Sequence, residues 1–191
     1  PAEGGRLGHS AISGGAGTTI GAASVTASVH ERRGGEALDG HEYRTRGGHA
    51  RVAFADIAGS RLRLTARFTD DERTAHPEGS GGTLAILKEL EERDGRQLQF
   101  GARAARTIGT HNDIEAWLAF ARQQSDVVSP GAVDAANPFA TVPASTIDSD
   151  FRRTTIGLSL RRSLGGLLHL FTSGEVEIED GDNDGLSVIH I

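Results

Sequence analysis

Apolar and polar residues alternate one by one along most of this chain. In "RLRLTARFT", Leu62, Leu64, Ala66 and Phe68 share one face, and Arg61, Arg63, Thr65, Arg67 and Thr69 take the other. "TTIGLSLRRSL" sets Thr154, Ile156, Leu158 and Leu160 against Thr155, Gly157, Ser159 and Arg161. "NDIEAWLAFARQQ" sets Ile114, Ala116, Leu118 and Phe120 against Asp113, Glu115, Trp117 and Ala119. "LLHLFTSGEVEIED" sets Leu168, Leu170, Val176 and Ile178 against His169, Ser173, Glu175, Glu177 and Glu179. "QLQFGARAART" (Gln97 to Thr107) and "HARVAFA" (His49 to Ala55) follow suit, and "TTIGAASVTASVHE" (Thr18 to Glu31) alternates more weakly. Successive side chains of a strand point to opposite faces, so a period of two predicts strands. The expected fold is all-β, an antiparallel up-and-down meander of about 8–9 strands. "TLAILKELEERDGR", Thr83 to Arg96, fits a short helix through Leu84, Leu87, Leu90 and Glu91, and fits a strand through Ile86, Lys88 and Leu90.

The connections alternate in length. Short turns are expected at Gly14–Thr18, Asp56–Ser60, Ile108–Asn112 and Leu164–Gly166. Long loops are expected at Glu31–Tyr43, Asp71–Leu90 and Asp126–Asp150, with "EDGDNDG", Glu179 to Gly185, opening the next. Short turns on one rim and long loops on the other are the layout of an outer-membrane barrel, with short periplasmic turns and long external loops. A soluble sandwich also alternates, with its polar face in water.

Composition narrows the classes. A net charge of −6 and a pI near 5.7 argue against a general nucleic-acid binder. Cys is absent, which removes disulfides, thiolate metal sites and a Cys nucleophile. No apolar run reaches the roughly 18 residues of a membrane helix, so a transmembrane β-barrel is the form in which the chain would span a bilayer. The opening "PAEGGRLGHS" has no Met and reads as an internal fragment or a processed chain.

Candidate chemistry is sparse. Asp180, Asp182, Asp184 and Gly185 spell the opening of a calcium loop, D-x-D-x-D-G. The bidentate Glu of the helix–loop–helix motif would fall on Ile191, and the flanks are predicted strands. The simpler reading is a solvated hairpin turn, with Asp and Gly as turn formers. No cofactor is required, and calcium in this external loop stays open beside that reading. Arg63, Arg67, Arg103 and Arg153 share the polar face and would attract anions. Alternatively they form a charge-balanced wall with Glu115, Glu175 and Glu177. "GGAGTTIG" lacks the Lys-Ser/Thr ending of a phosphate loop. No H-x-x-x-H zinc pair and no G-x-S-x-G elbow occurs, and no enzyme is expected.

Several stretches together resemble the TonB-dependent outer-membrane receptors, nearest in character to vitamin B12 and siderophore receptors. They are "LTARFTDDERTAHPEGSGG", "LAILKELEERDGRQLQFGA", "RQQSDVVSPG", "NPFATVPASTIDSDFRRTTIGLSL" and "GEVEIEDGDNDG". The S-P-G loop, the P-F-x-x-x-P-A-S step and the acidic turn stand in the same order, and the resemblance runs from Gly5 to Ile191. It implies a barrel of about 22 strands around a plug, placed in the bacterial outer membrane with lipid as a partner. It further implies import of a scarce small ligand, such as a siderophore–iron complex or cobalamin, driven by the TonB complex acting on the plug. Loop carboxylates bind calcium in some vitamin B12 receptors. No plug or TonB box is recognisable, and "SVIHI" lacks the closing aromatic, so residues 1–191 read as a partial barrel domain. Aromatics are 5% of the chain, with Phe54, Phe68, Phe100, Phe120 and Phe171 left to form the interfacial girdles. Such a piece leaves two open edges and is expected not to form a stable monomer in lipid. The alternatives are another outer-membrane barrel, of autotransporter or porin type, and a secreted soluble calcium-binding β-module.

Overall fold

The alternating segments of the computed structural model are strands. It describes residues 2–4, 8–35, 41–77, 89–133, 141–165 and 168–188. The strands are β1 (Ala2–Gly4), β2 (Ser10–Ile20), β3 (Ala23–Gly35), β4 (Glu42–Ile57), β5 (Ser60–Ala75), β6 (Glu91–Ile108), β7 (Asn112–Ser129), β8 (Ala132–Val133), β9 (Thr141–Val142), β10 (Ala144–Ser163) and β11 (His169–Val188). Nine form one antiparallel sheet in the order β1-β2-β3-β4-β5-β6-β7-β10-β11, and β8 and β9 pair by themselves. Each long strand lies beside its neighbour in sequence, so the all-β meander expected from the alternation is present. The sheet is open: β11 forms one edge, and β1, which covers only Ser10–Ile12 of β2, forms the other. Among the described residues no helix is long and apolar enough to cross a membrane.

Register turns the local alternation into two chemically distinct faces. Residues directly opposite each other on neighbouring strands share a face. One row runs Val25, Val52, Leu64, Ala102, Leu118, Ile156, Val176 across seven strands. The rows beside it are Ala27, Ala50, Ala66, Phe100, Phe120, Thr154, Ile178 and Ala23, Phe54, Leu62, Ala104, Ala116, Leu158, Gly174. Along β6 the apolar residues of this face run from Leu98 to Ile108, interrupted by Arg106, and a bilayer crossing takes about 9–11 residues. Toward the long connections the same face becomes charged within two rows. One of these rows reads Arg33, Arg44, Glu72, Asp94, Asp126, Asp148, Asp184.

Among the described residues the sheet has no second layer over its apolar face. Ala132 is the one buried apolar residue among those described, and Leu64, Leu118, Ile156 and Val176 are 40%, 46%, 55% and 62% exposed. A soluble domain buries such a face against another element. Within the sheet, packing is largely cross-strand, and several rings lie over glycines of the adjacent strand. Tyr43 faces Gly34, His30 faces Gly47, Phe68 faces Gly48 and Trp117 faces Gly157, each in direct register. A Cβ on any of these glycines would overlap the ring. Glycine weakens a strand interior, and a ring laid across it restores contact.

The expected loops need correction. Gly14–Thr18 is not a turn but the interior of β2, paired with Val25–Val29, and the turn is at Gly21–Ala22. Gly21 has φ +58° there, which glycine adopts without strain. Asp56–Ser60 and Ile108–Asn112 are turns as expected, the first closed by Gly59 N–H donating to Asp56 Oδ1 at 2.7 Å. At the last expected turn, Leu164 and Gly165 lie outside the strands, and residue 166 lies outside the described residues.

The long loops at Glu31–Tyr43, Asp71–Leu90 and Asp126–Asp150 are shorter than their polarity predicts. Strands run on to Gly35, Ala75 and Ser129 and resume at Glu42, Glu91 and Ala144. Ladder bonding uses backbone groups, so polar residues continue a strand wherever a neighbour supplies the partner. Glu91–Arg96 is strand, while residues 83–88 of the ambiguous segment lie outside the described residues. "EDGDNDG" is likewise no hairpin loop: Asp180–Gly185 pair residue by residue with Arg152–Ile147 in the middle of a 20-residue strand.

Candidate functional site

The polar face gathers the charged residues that sequence spacing singled out. Arg63, Arg103, Trp117, Gly157 and Glu175 form one row, and Thr65, Gly101, Ala119, Thr155 and Glu177 form the next. Arg67, Gln99, Ala121, Arg153 and Glu179 form the row after that. All six expected residues, Arg63, Arg67, Arg103, Arg153, Glu175 and Glu177, therefore lie on one face.

Their pairing is partial. Arg103 is ion-paired with Glu115, and Arg153 with Glu179 and, at 3.7 Å, with Glu177. Glu175 instead accepts a hydrogen bond from Trp117 Nε1 at 2.9 Å. That indole crosses Gly157, so one side chain ties β7, β10 and β11 together. Arg63 sits directly opposite Arg103, and neither Arg63 nor Arg67 has an ion-pair partner among the described residues. The wall is thus balanced at Arg103 and Arg153 and cationic at Arg63 and Arg67. Phe54, Phe68, Phe100 and Phe120 share the apolar face, but Phe171 lies on the polar one, opposite Arg161. The girdle expected from five Phe loses that member.

Near the rim of the long connections is a groove of about 810 Å³, lined by His9, His30, Arg32, His41, Tyr43, Arg67 and Arg73 together with one carboxylate, Glu42. Tyr43 Oη lies 3.4 Å from His9 Nδ1, and the His41 and His76 rings are 5.1 Å apart. Arg32, Arg67 and Arg73 are unpaired among the described residues, so the groove offers guanidinium, imidazole and phenol donors to an anionic guest. Sequence reading missed it, because its members come from β3, β4, β5 and the segments before β2 and β4. The one signal present was Arg67 in its polar phase.

On the opposite face, beyond the apolar rows, Asp150 is clamped by two arginines. Arg122 donates from Nε at 3.0 Å and from Nη2 at 2.6 Å, and Arg152 Nη2 donates at 2.8 Å. Those hydrogen bonds, Arg122's first, hold the Asp150 carboxyl well below the usual aspartate range. Glu31 is lowered in the same way by Arg33 and Arg44. A depressed folded pKa adds stability that is complete above the ordinary value of 3.8 and is lost as pH falls toward the folded value. Asp150→Asn should therefore lower the urea midpoint by a constant amount above roughly pH 5, and the two proteins should converge in strong acid. A difference that vanished instead between neutrality and pH 5 would contradict the clamp.

Asp180, Asp182 and Asp184 point to that same face, at alternate positions of an extended strand. Their Cα atoms are roughly 6.5–7 Å apart in sequence, and across the sheet Asp184 continues the carboxylate row Glu72, Asp94, Asp126, Asp148. Among the described residues no group of His, Asp or Glu is arranged to hold a metal ion. Comparison with known protein families, with curated proteins and with solved structures finds no match.

Proposed function

We propose that the chain is part of an outer-membrane β-barrel of the TonB-dependent receptor type. The observation that carries this is the single-layer sheet, with an exposed apolar band on one face and arginines, glutamates, Ser and Thr on the other. Lipid would cover the band, and the polar face would line a wet lumen. The two open edges support a larger closed sheet, since unpaired edge groups are costly in hydrocarbon. In this reading the His, Tyr and Arg groove near the rim meets a scarce anionic ligand, of which a siderophore–iron complex is one kind and cobalamin another candidate cargo. Import would be driven by the TonB complex through a plug domain, and the location is the bacterial outer membrane. The other membrane reading is a barrel of autotransporter or porin type.

The membrane assignment is testable because the chain lacks Cys. Single Cys substitutions from Arg61 to Phe68, carrying a fluorophore in phospholipid vesicles, should alternate. Positions 62, 64, 66 and 68 should be quenched from lipid, and 61, 63, 65 and 67 from water. Water quenching at every position would remove the membrane reading.

The carboxylate row favours a second reading, a secreted soluble calcium-binding β-module. Like charges directly opposite destabilise a sheet, and a divalent cation would relieve that. On this reading the protein stays soluble without detergent, millimolar calcium raises its melting temperature, and Asp126→Asn removes most of the rise. A detergent-dependent protein indifferent to calcium would exclude it.

A further inference from the structure

Register stacks cations along one side of the polar face. From the rim of the long connections to the short turns, every row across β3–β5 holds one: Arg73, Arg32, His30, Arg67, Arg51, Arg63 and Arg61 in turn. Asp71 is the one carboxylate on this face of the three strands, and it accepts a hydrogen bond from Thr45 Oγ1 at 2.6 Å. β2, beside β3, carries no charge. The arginines of the series have no ion-pair partner among the described residues. Arg63 directly faces Arg103, an opposition of like charges that costs a sheet stability. Midway along, the face is hollow. His49, Arg67, Gln99 and Arg153 stand around a depression of about 480 Å³ that Gly101 and Ala121 also line, with no carboxylate among its described lining residues. Arg153 is held there by Glu177 and Glu179, and Arg67 is unpaired among the described residues.

We propose that this series is a stepwise binding track for small oxyanions, solutes that carry phosphate or carboxylate groups. Guanidinium forks match both groups in geometry and charge. Rows on one face follow every two residues, about 6.5–7 Å apart. That is shorter than the Debye length, about 8 Å at physiological salt. An anion leaving one row is therefore already in the field of the next. Shallow sites in series let a solute move on, where one deep site would hold it. The hollow at Arg67 gives room midway, and the rim groove is the outer end of the track, since Arg67 lines both. The track rests on the register and its charge and does not need the membrane assignment. In the barrel reading it lies on the lumen wall and leads the anionic cargo from the rim groove toward the short turns.

The test titrates the full chain with inorganic phosphate and, separately, with citrate, at low ionic strength and in buffer or detergent micelles as its solubility requires. Calorimetry reads affinity, and the arginine Nε–Hε resonances locate the anion. Those of Arg51, Arg63 and Arg67 should shift saturably, and the anion that saturates them at lower concentration separates a phosphate source from a carboxylate one. Molar sodium chloride, with a Debye length of about 3 Å, should cancel the shifts. The triple variant Arg51→Gln, Arg63→Gln, Arg67→Gln should lose about tenfold or more in affinity. Its urea midpoint should hold or rise, because the Arg63–Arg103 opposition is gone. Arg33→Gln, Arg46→Gln, Arg96→Gln removes the same charge from the opposite face and should change affinity by less than about threefold, since it acts only through net charge. Equal losses in the two triple variants, shifts confined to Arg73, or no saturable shift would each overturn the track. Water quenching at every position from 61 to 68, with anion binding intact, would remove the membrane reading and leave the track standing.

Discussion

Leu64→Arg is expected to drive the chain out of phospholipid vesicles, whereas arginine two rows beyond the apolar band leaves it bound. Position 64 lies inside the row from Val25 to Val176, flanked on its own face by Leu62 and Ala66. An arginine on the lipid face of a barrel costs about 2–4 kcal/mol at the midplane and about 0–1 near the interface. Every 1.4 kcal/mol is about tenfold in an equilibrium, so partition should fall by one to three orders of magnitude. The matched control is Gln124→Arg, on the same face in a row that already carries Arg46 and Arg96. Its partition should change by less than about fivefold. A second control, Thr65→Arg, adds the same charge next door on the polar face. Vesicle flotation reads all three. If Leu64→Arg and Thr65→Arg behave alike, the band does not face lipid, since a surface substitution in water costs only about 0.5 kcal/mol.

Gly157→Val should destabilise the sheet more than a substitution at any strand glycine with open space around it. Gly157 is buried, and the Trp117 indole lies across it to reach Glu175. A side chain there must expel the ring, which costs both the indole hydrogen bond and its contact with β10. Forcing a larger side chain into a packed site costs about 1–3 kcal/mol. Gly174, with nothing within 4 Å of a built Cβ, is the control. Gly174→Val should stay within about 0.5 kcal/mol of the parent or gain slightly from strand propensity. Trp117 is the only Trp in the chain, so its emission reports displacement directly. The expected result is a lower urea midpoint and a red-shifted native spectrum for Gly157→Val alone. Equal midpoints for the two variants would mean that the ring does not brace the strands.

The sequence by itself determined the strand class and the phase of each strand. Alternation in Arg61–Thr69 or Thr154–Leu164 is a local property, because adjacent Cβ atoms point to opposite sides whatever the neighbours do. That is why the shared phase of Arg63, Arg67, Arg103, Arg153, Glu175 and Glu177 is legible without any knowledge of pairing. Turn positions were less legible. "GGAGT" has turn composition, yet β3 satisfies its backbone, and "DGDNDG" has loop composition, yet β10 does the same. What only the tertiary structure decided is everything that crosses strands. The indole over Gly157, the Arg122–Asp150–Arg152 clamp, the carboxylate row ending at Asp184 and the groove of His9, His30 and Arg73 join residues from distant parts of the chain. Register makes those contacts, and a slip of one residue would send every side chain of a strand to the other face.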